Sequence, residues 1–198
     1  MAAYNPRDYY FKKAKQENFA ARSVFKLQEI DEKFRMLKTS AKILDLGCCP
    51  GSWSQYASQK IGASGVLLGI DLTETKVKIN NGDLLQGDIF TYDFESWMKQ
   101  KGIEKFDVVL SDMAPKTTGI RITDQARSLE LCEMALATAE KYLRPGGHFV
   151  CKLFHSPDFE GYRKNLKARF ETVELLKPKS TRSQSKEIFF VCKSMQTR

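Results

Sequence analysis

Residues 42–53, Lys-Ile-Leu-Asp-Leu-Gly-Cys-Cys-Pro-Gly-Ser-Trp, carry the residue types best suited to gripping a small ligand. The apolar run Ile43, Leu44, Leu46 reads as a strand that ends in a turn containing Gly47 and Gly51, and a helix is expected from about Ser52 to Ile61. Glycine lacks a Cβ, so the turn can adopt positive φ and let a ligand approach the main chain. The helix start then offers unpaired N–H groups to a polar ligand. A second apolar run, Val66 to Ile70, ends in Asp71, about 20 residues beyond the loop, where a carboxylate can accept both hydroxyls of a ribose. Together these features frame a nucleoside-cofactor site.

The spacing discriminates among cofactors. A dinucleotide fingerprint needs Gly-x-Gly-x-x-Gly, whereas here Cys49 stands where the middle glycine would admit a pyrophosphate. No Gly-Lys-Ser/Thr occurs, so a phosphate-binding P-loop is excluded. The pattern Asp45-x-Gly47-x-x-x-Gly51 with the later Asp71 resembles the S-adenosylmethionine (SAM) loop of Rossmann-like methyltransferases. Taken alone, the loop also fits a Gly-rich connection in an α/β core with no ligand.

Other polar residues fall at strand ends, the edge of an α/β sheet where ligands bind. Asp83 to Asp88 reads as a short third strand, and Asp88 is either an acceptor for an adenine amino group or an ordinary loop aspartate. Asp107 to Asp112 reads as a fourth strand with Asp112 beside the crevice. His148 to Phe154 is a fifth, apolar except for Lys152, and a lysine is costly to bury. Val173–Leu176 and Ile188–Cys192 complete seven strands, and Glu187 opens the last.

Helices must position these strands. One is expected over residues 5–16, with Asn5 as N-cap and Pro6 at the first helical position. A second covers 21–36, burying Val24, Leu27, Ile30 and Phe34, with Phe25 and Lys26 off the centre of the stripe. Residues 92–101 form a short helix or turn. A long helix runs from Thr123 to about Leu143, with Leu129, Cys132, Leu136 and Leu143 on one face and Arg144-Pro-Gly-Gly as its stop. Residues 158–168 supply another. Strands alternating with helices predict an α/β fold with helices on both faces of the sheet. The segment 116–123 is a candidate flap over a substrate, and the basic loop 177–186 is either filler or a phosphate-binding flap.

At 198 residues the chain is expected to form one domain, 1–198, with residues 1–40 as a helical extension. Its net charge of +8 is unevenly spread: +4 over residues 1–40, −3 over 41–162 and +7 over 163–198. Basic ends around a mildly acidic core point to a polyanion such as RNA. Tyr9, Tyr10 and Phe11 among Lys12, Lys13 and Lys15 can stack on bases or pack on the domain. Five cysteines with no Cys-x-x-Cys and only two histidines suggest neither a disulfide framework nor a metal site. That usage fits a reducing, cytoplasmic setting, or an organellar matrix. No stretch approaches a membrane span, and no secretory leader is visible.

Five motifs occur in order: Arg22-Ser-Val-Phe-Lys-Leu, Asp45-Leu-Gly-Cys-Cys-Pro-Gly-Ser-Trp-Ser-Gln, Ser111-Asp-Met-Ala-Pro, Arg144-Pro-Gly-Gly-His-Phe-Val-Cys-Lys and Ser183-Gln-Ser-Lys-Glu. Over nearly the whole chain they resemble the FtsJ-type ribose 2′-O-methyltransferases. The resemblance implies a Rossmann-like fold with a seven-stranded, mostly parallel sheet whose last strand is antiparallel. It implies a tetrad at Lys26, Asp112, Lys152 and Glu187, and SAM contacts at Gly51, Trp53, Asp71, Asp88 and Asp112, with Gly47 in the same loop. The chain departs from the family at Ser52, commonly Gly, and at His155-Ser156, commonly Gln-Gly.

Methyl transfer from a sulfonium to a hydroxyl is an in-line displacement, and the hydroxyl is a poor nucleophile until its proton leaves. A lysine serves as base only when neutral, and its ordinary pKa is about 10.4. Neighbouring charges therefore set its usefulness, which casts Lys152 as the base with Lys26, Asp112 and Glu187 around it. The resemblance further implies a uridine ribose in large-subunit ribosomal RNA, alone or in a ribosomal particle, as substrate for a monomeric enzyme. A tRNA anticodon-loop methyltransferase and a non-catalytic RNA-binding assembly factor are the alternatives; the basic ends argue against a small-molecule or protein methyltransferase.

Overall fold

The computed structural model describes residues 6–182 and 184–197. The expected cap at Asn5 and the Ser183 of the last motif lie outside them. In chain order the elements are α1 (Pro6–Gln16), α2 (Val24–Phe34), β1 (Lys42–Leu46), α3 (Ser52–Ile61), β2 (Val66–Asp71), β3 (Gly82–Gln86), α4 (Phe94–Gln100), β4 (Phe106–Ser111), α5 (Arg121–Tyr142), β5 (Leu143–Phe154), α6 (Phe159–Lys167), β6 (Phe170–Leu176) and β7 (Glu187–Met195).

The strands form one sheet in the order β3-β2-β1-β4-β5-β7-β6. Strands β1 to β5 pair in parallel, while β7 inserts antiparallel between β5 and β6. The expected seven strands and antiparallel last strand are therefore present. Order reverses at β1, between β2 and β4, and such a switch point opens a crevice at the carboxyl edge of a doubly wound sheet.

Alternation along the strands sorts side chains onto two faces. Ile43, Leu67, Val108, Leu110, Val150, Phe189 and Val191 pack under α2 and α3. Leu44, Leu46, Ile70, Val109, Phe149, Cys151, Leu153 and Phe190 pack with residues of α4, α5 and α6. Even at roughly 25 cal/mol per Å² of buried apolar area, two such layers supply most of the drive to fold.

Several expectations shift in detail. In α2, Val24, Leu27 and Ile30 are buried as the periodicity requires, but Phe34 is half-buried and Phe25 is buried instead. The cause is α1, which covers a second side of α2: Tyr10 and Phe25 rings meet at 5.3 Å, and Lys13 Nζ lies 4.7 Å from the Phe25 ring centre. In α5 the packing face is made of Ser128, Cys132, Ala135, Leu136 and Ala139, with Leu129 at its margin. Small residues let this helix lie close to the sheet.

The helix α5 ends at Tyr142, where Arg144-Pro-Gly-Gly predicts a stop, and the stop residues themselves enter the sheet. Leu143 pairs with Phe106 and His148 with Val108, so the intervening residues form a bulge in β5. Gly146 takes φ +72° there, and a Cβ on Gly147 would meet the Leu143 side chain at 2.7 Å. Strand pairing on both flanks takes up these residues as a bulge once the helix has stopped.

Candidate active site

The loop after β1 has the predicted form. Gly47 and Gly51 adopt φ +74° and +108°, and Gly51 caps α3. A Cβ on Gly47 would collide with Met113 Cγ, and one on Gly51 would fall 2.7 Å from Val77. The glycines thus let the loop touch the chain just past β4 and the segment after β2. Thr75 adds a tether by donating to the Pro50 carbonyl at 2.7 Å.

Around this loop stand three carboxylates. Asp71 accepts from the main-chain N–H of Cys49 at 3.1 Å and of Thr73 at 2.7 Å. A carboxylate offers about four lone-pair sites, so two remain for hydroxyls. Asp88 lies in the turn after β3, with Oδ1 accepting from Phe90 N, and Gly87 N donates to the Asp71 carbonyl at 2.8 Å. The turn of Asp88 is thereby tied to the end of β2. Asp45, on β1, is almost fully buried; Ser54 donates to its Oδ2 at 2.6 Å, while Oδ1 has no hydrogen-bond partner. Burial, and then the charges of Asp112 and Asp71, push its carboxyl up to about 7.

Trp53 is buried against α2 and β7. Its indole N–H donates to the Ser23 carbonyl at 2.9 Å, and its ring lies 5.8 Å from that of Phe189. That commitment leaves the main-chain N–H of residue 53, in the first turn of α3, as the ligand-binding group available. Ser52, where the family commonly has glycine, is also buried, and its hydroxyl meets the Ser23 hydroxyl at 2.8 Å. The departure therefore strengthens the joint between α3 and α2.

The four charged residues form two ion pairs. Lys152 Nζ lies 3.0 Å from Asp112 Oδ1 and donates to the Asp112 main-chain carbonyl. The contact with Oδ1 is electrostatic and not aligned as a hydrogen bond, so that oxygen keeps its accepting capacity although it is buried. Lys26 Nζ lies 2.6 Å from Glu187 Oε1. Strand register then places the pairs relative to each other. Lys152 pairs with Phe189 and Phe154 with Glu187, so Lys152 and Glu187 are diagonal neighbours on one face, where spacing is about 7 to 8 Å. Phe189 lies beneath, 5.7 Å from Lys26 Nζ.

Sequence reasoning found the four charges and missed what holds them. Phe189, within the seventh strand, is one such residue: it lies against both Lys26 and Trp53. Ser23 precedes α2, and its hydroxyl makes no cap bond but pairs with that of Ser52. Glu29 carried no signal at all, although it accepts from Lys179 N at 2.6 Å and Ser180 N at 2.8 Å and pins loop 177–186 to α2. His155 anchors the end of β5: its N–H donates to the Lys186 carbonyl, and its carbonyl accepts from Gln125 Nε2. The flap candidate 116–123 is held by Asp124, which accepts from Thr118 N, Thr118 Oγ1 and Gly119 N.

The donor set suits SAM. Two buried carboxylate oxygens, Asp45 Oδ1 and Asp112 Oδ1, lack hydrogen-bond donors beside a glycine loop, and SAM carries a sulfonium and an ammonium. Asp71 retains sites for ribose hydroxyls.

A Rossmann-like sheet with a glycine loop and acidic strand ends at its switch point defines a methyltransferase. The FtsJ-like methyltransferase family profile matches residues 19–195, and the chain belongs to that family. It is 59% identical over 189 residues to the ribosomal RNA large subunit methyltransferase E of Bdellovibrio bacteriovorus, covering 95% of this chain and 96% of the relative. The protein of that name from Nitratidesulfovibrio vulgaris strain DP4 is 50% identical, covering 94% and 92%. A crystal structure of a putative ribosomal RNA methyltransferase from Plasmodium falciparum superposes with a TM-score of 0.79 at 30% identity, covering 91% of this chain and all of that one.

Proposed function

We propose that the protein transfers a methyl group from SAM to a ribose 2′-OH of large-subunit ribosomal RNA, with a uridine as the expected target. Membership of the family and the names of its close relatives support the substrate class. The observation that carries the chemistry is the meeting of two Lys–carboxylate pairs: Lys152 and Glu187 share one face of β5 and β7, Lys26 reaches Glu187 from α2, and Asp112 reaches Lys152 from the end of β4.

SAM, when bound, supplies the methyl group from a positively charged sulfur. Gly47, Gly51 and the first turn of α3 make room for it, Asp71 takes its ribose hydroxyls, and Asp88 its adenine amino group. Lys152 removes the 2′-OH proton as the oxygen attacks. Asp112 fixes the lysine through two contacts, which orients Nζ and limits its rotation. Lys26 and Glu187 hold the ribose end of the substrate, and Phe189 keeps Lys26 in place. Lys152 is 6% exposed, so bulk water is kept away from the Nζ that, in its neutral form, takes the proton.

The enzyme is expected to work as a cytoplasmic monomer. Among the described residues no helix is long and apolar enough to cross a membrane.

The test is methyl transfer from labelled SAM to large ribosomal subunits, total RNA and tRNA lacking the mark, with Lys152→Ala alongside. Label at one ribose 2′-O of the large-subunit RNA, lost in the variant, is the expected result. Transfer to tRNA alone would move the assignment to an anticodon-loop enzyme. SAM binding without transfer to any RNA would overturn the enzymatic reading.

A further inference from the structure

Beside the Lys26–Glu187 pair lies a cavity of about 360 Å³ between α2 and the loop 177–186. Its lining includes Arg22, Lys26, Ser180, Arg182 and Ser185 along with Glu187, so cations outnumber the single carboxylate. The walls are braced. Arg22 donates to the Ser180 carbonyl at 2.6 Å and lies 5.3 Å from the Tyr10 ring centre. Glu29 accepts from the main chain at Lys179 and Ser180 on the same loop.

One observation sets this cavity apart from an ordinary basic surface. Ser180 is 1% exposed, yet its Oγ has no hydrogen-bond partner. A buried hydroxyl without a partner costs stability, and Ser180 is one of the residues that line this cation-rich cavity, so its proton is a donor left over for a ligand there.

We infer that this cavity is a phosphate subsite for the phosphodiester on the 3′ side of the methylated ribose, held by Ser180 Oγ, Arg182 and Arg22. The inference rests on the reading of the protein as a ribose 2′-O-methyltransferase. The 2′-oxygen and the 3′-oxygen sit on adjacent carbons, so the group nearest a 2′-OH held by Lys26 and Glu187 is the 3′ phosphate. Ser180 donates its hydroxyl hydrogen to a non-bridging oxygen, and the guanidinium groups match phosphate geometry. The subsite thereby sets the ribose in register with Lys152, since a phosphate contact fixes position without reading a base.

The test is equilibrium binding of unmethylated large ribosomal subunits across a salt series for the unsubstituted protein, Ser180→Ala and Arg182→Gln, with thermal melting of each. Arg182→Gln is expected to weaken binding about tenfold at low salt and to flatten the log–log salt slope by about one, the signature of one lost phosphate contact. Ser180→Ala is expected to weaken binding about fivefold while leaving the melting temperature unchanged or raised, because it removes a hydroxyl that nothing in the protein satisfies. A structural role for Ser180 would lower the melting temperature instead. Wild-type affinity and slope in both variants would overturn the subsite. Binding is read without turnover, so particles that bind but are not methylated would count against the reaction and leave the subsite judged by its slope.

Discussion

Lys152 Nζ meets Asp112 twice, at carboxylate Oδ1 across 3.0 Å and at the main-chain carbonyl. Two contacts to one residue, just past the end of β4, fix the lysine head. Lys152→Ala removes the proposed base and is expected to lower kcat at least about 10²-fold while binding of ribosomal particles stays within a few-fold. Asp112→Asn keeps the shape and the carbonyl contact but loses the charge, and a smaller drop in kcat is expected. Single-turnover assays read both. Near-normal turnover in Lys152→Ala would remove the lysine from the chemistry.

The Lys26–Glu187 pair, with side chains 14% and 12% exposed, joins α2 to β7. Removing one partner leaves the other charge largely buried and uncompensated. Lys26→Met and Glu187→Gln are each expected to cost about 2 kcal/mol, and the double variant less than the sum. Denaturant melts of the three variants measure the coupling. Strict additivity would mean that the pair contributes no mutual stabilisation.

Asp45 gives a pH dependence whose sign can be worked out. Burial raises its carboxyl from the ordinary 3.8 to about 7 in the folded protein. Between those values the folded state binds a proton that the unfolded state has lost, so stability falls as pH rises through the window, by about 4 kcal/mol in all. Asp45→Asn keeps an acceptor for Ser54 and carries no charge. Without bound SAM, its melting temperature should exceed the unsubstituted protein's increasingly from pH 5 to pH 8. Parallel melting curves across that range would show that Asp45 is ionised throughout.

Gly51 sits at φ +108°, and an added Cβ would fall 2.7 Å from Val77. Gly51→Ala is therefore expected to cost about 1–3 kcal/mol in stability through strain. It is also expected to weaken SAM binding, since the loop would have to move off the segment after β2. Calorimetric titration with SAM checks this; unchanged affinity would show that the loop backbone does not contact the cofactor.

Much of this protein was legible in its sequence because the relevant signals are local. Alternation and helical periodicity located seven strands and the main helices. The Gly47-to-Gly51 spacing required a turn with positive φ, and Asp71 fell at a strand end by simple counting. Where neighbours compete with local signals, the sequence misled. Phe25 is buried because α1 covers it, and Leu143, expected on the face of the long helix, instead opens β5 and pairs with Phe106.

The pairing of Lys26 with Glu187, the cover over Lys152 and the orphaned Ser180 hydroxyl were decided only by tertiary structure. Each depends on which faces meet across the sheet. Periodicity states that a strand has a buried face and is silent on what packs against it. The insertion of β7 beside β5, in a register that sets Glu187 diagonal to Lys152, and the clasp of Glu29 on the loop 177–186 join segments far apart in the chain. The whole core must assemble before those charges share one site.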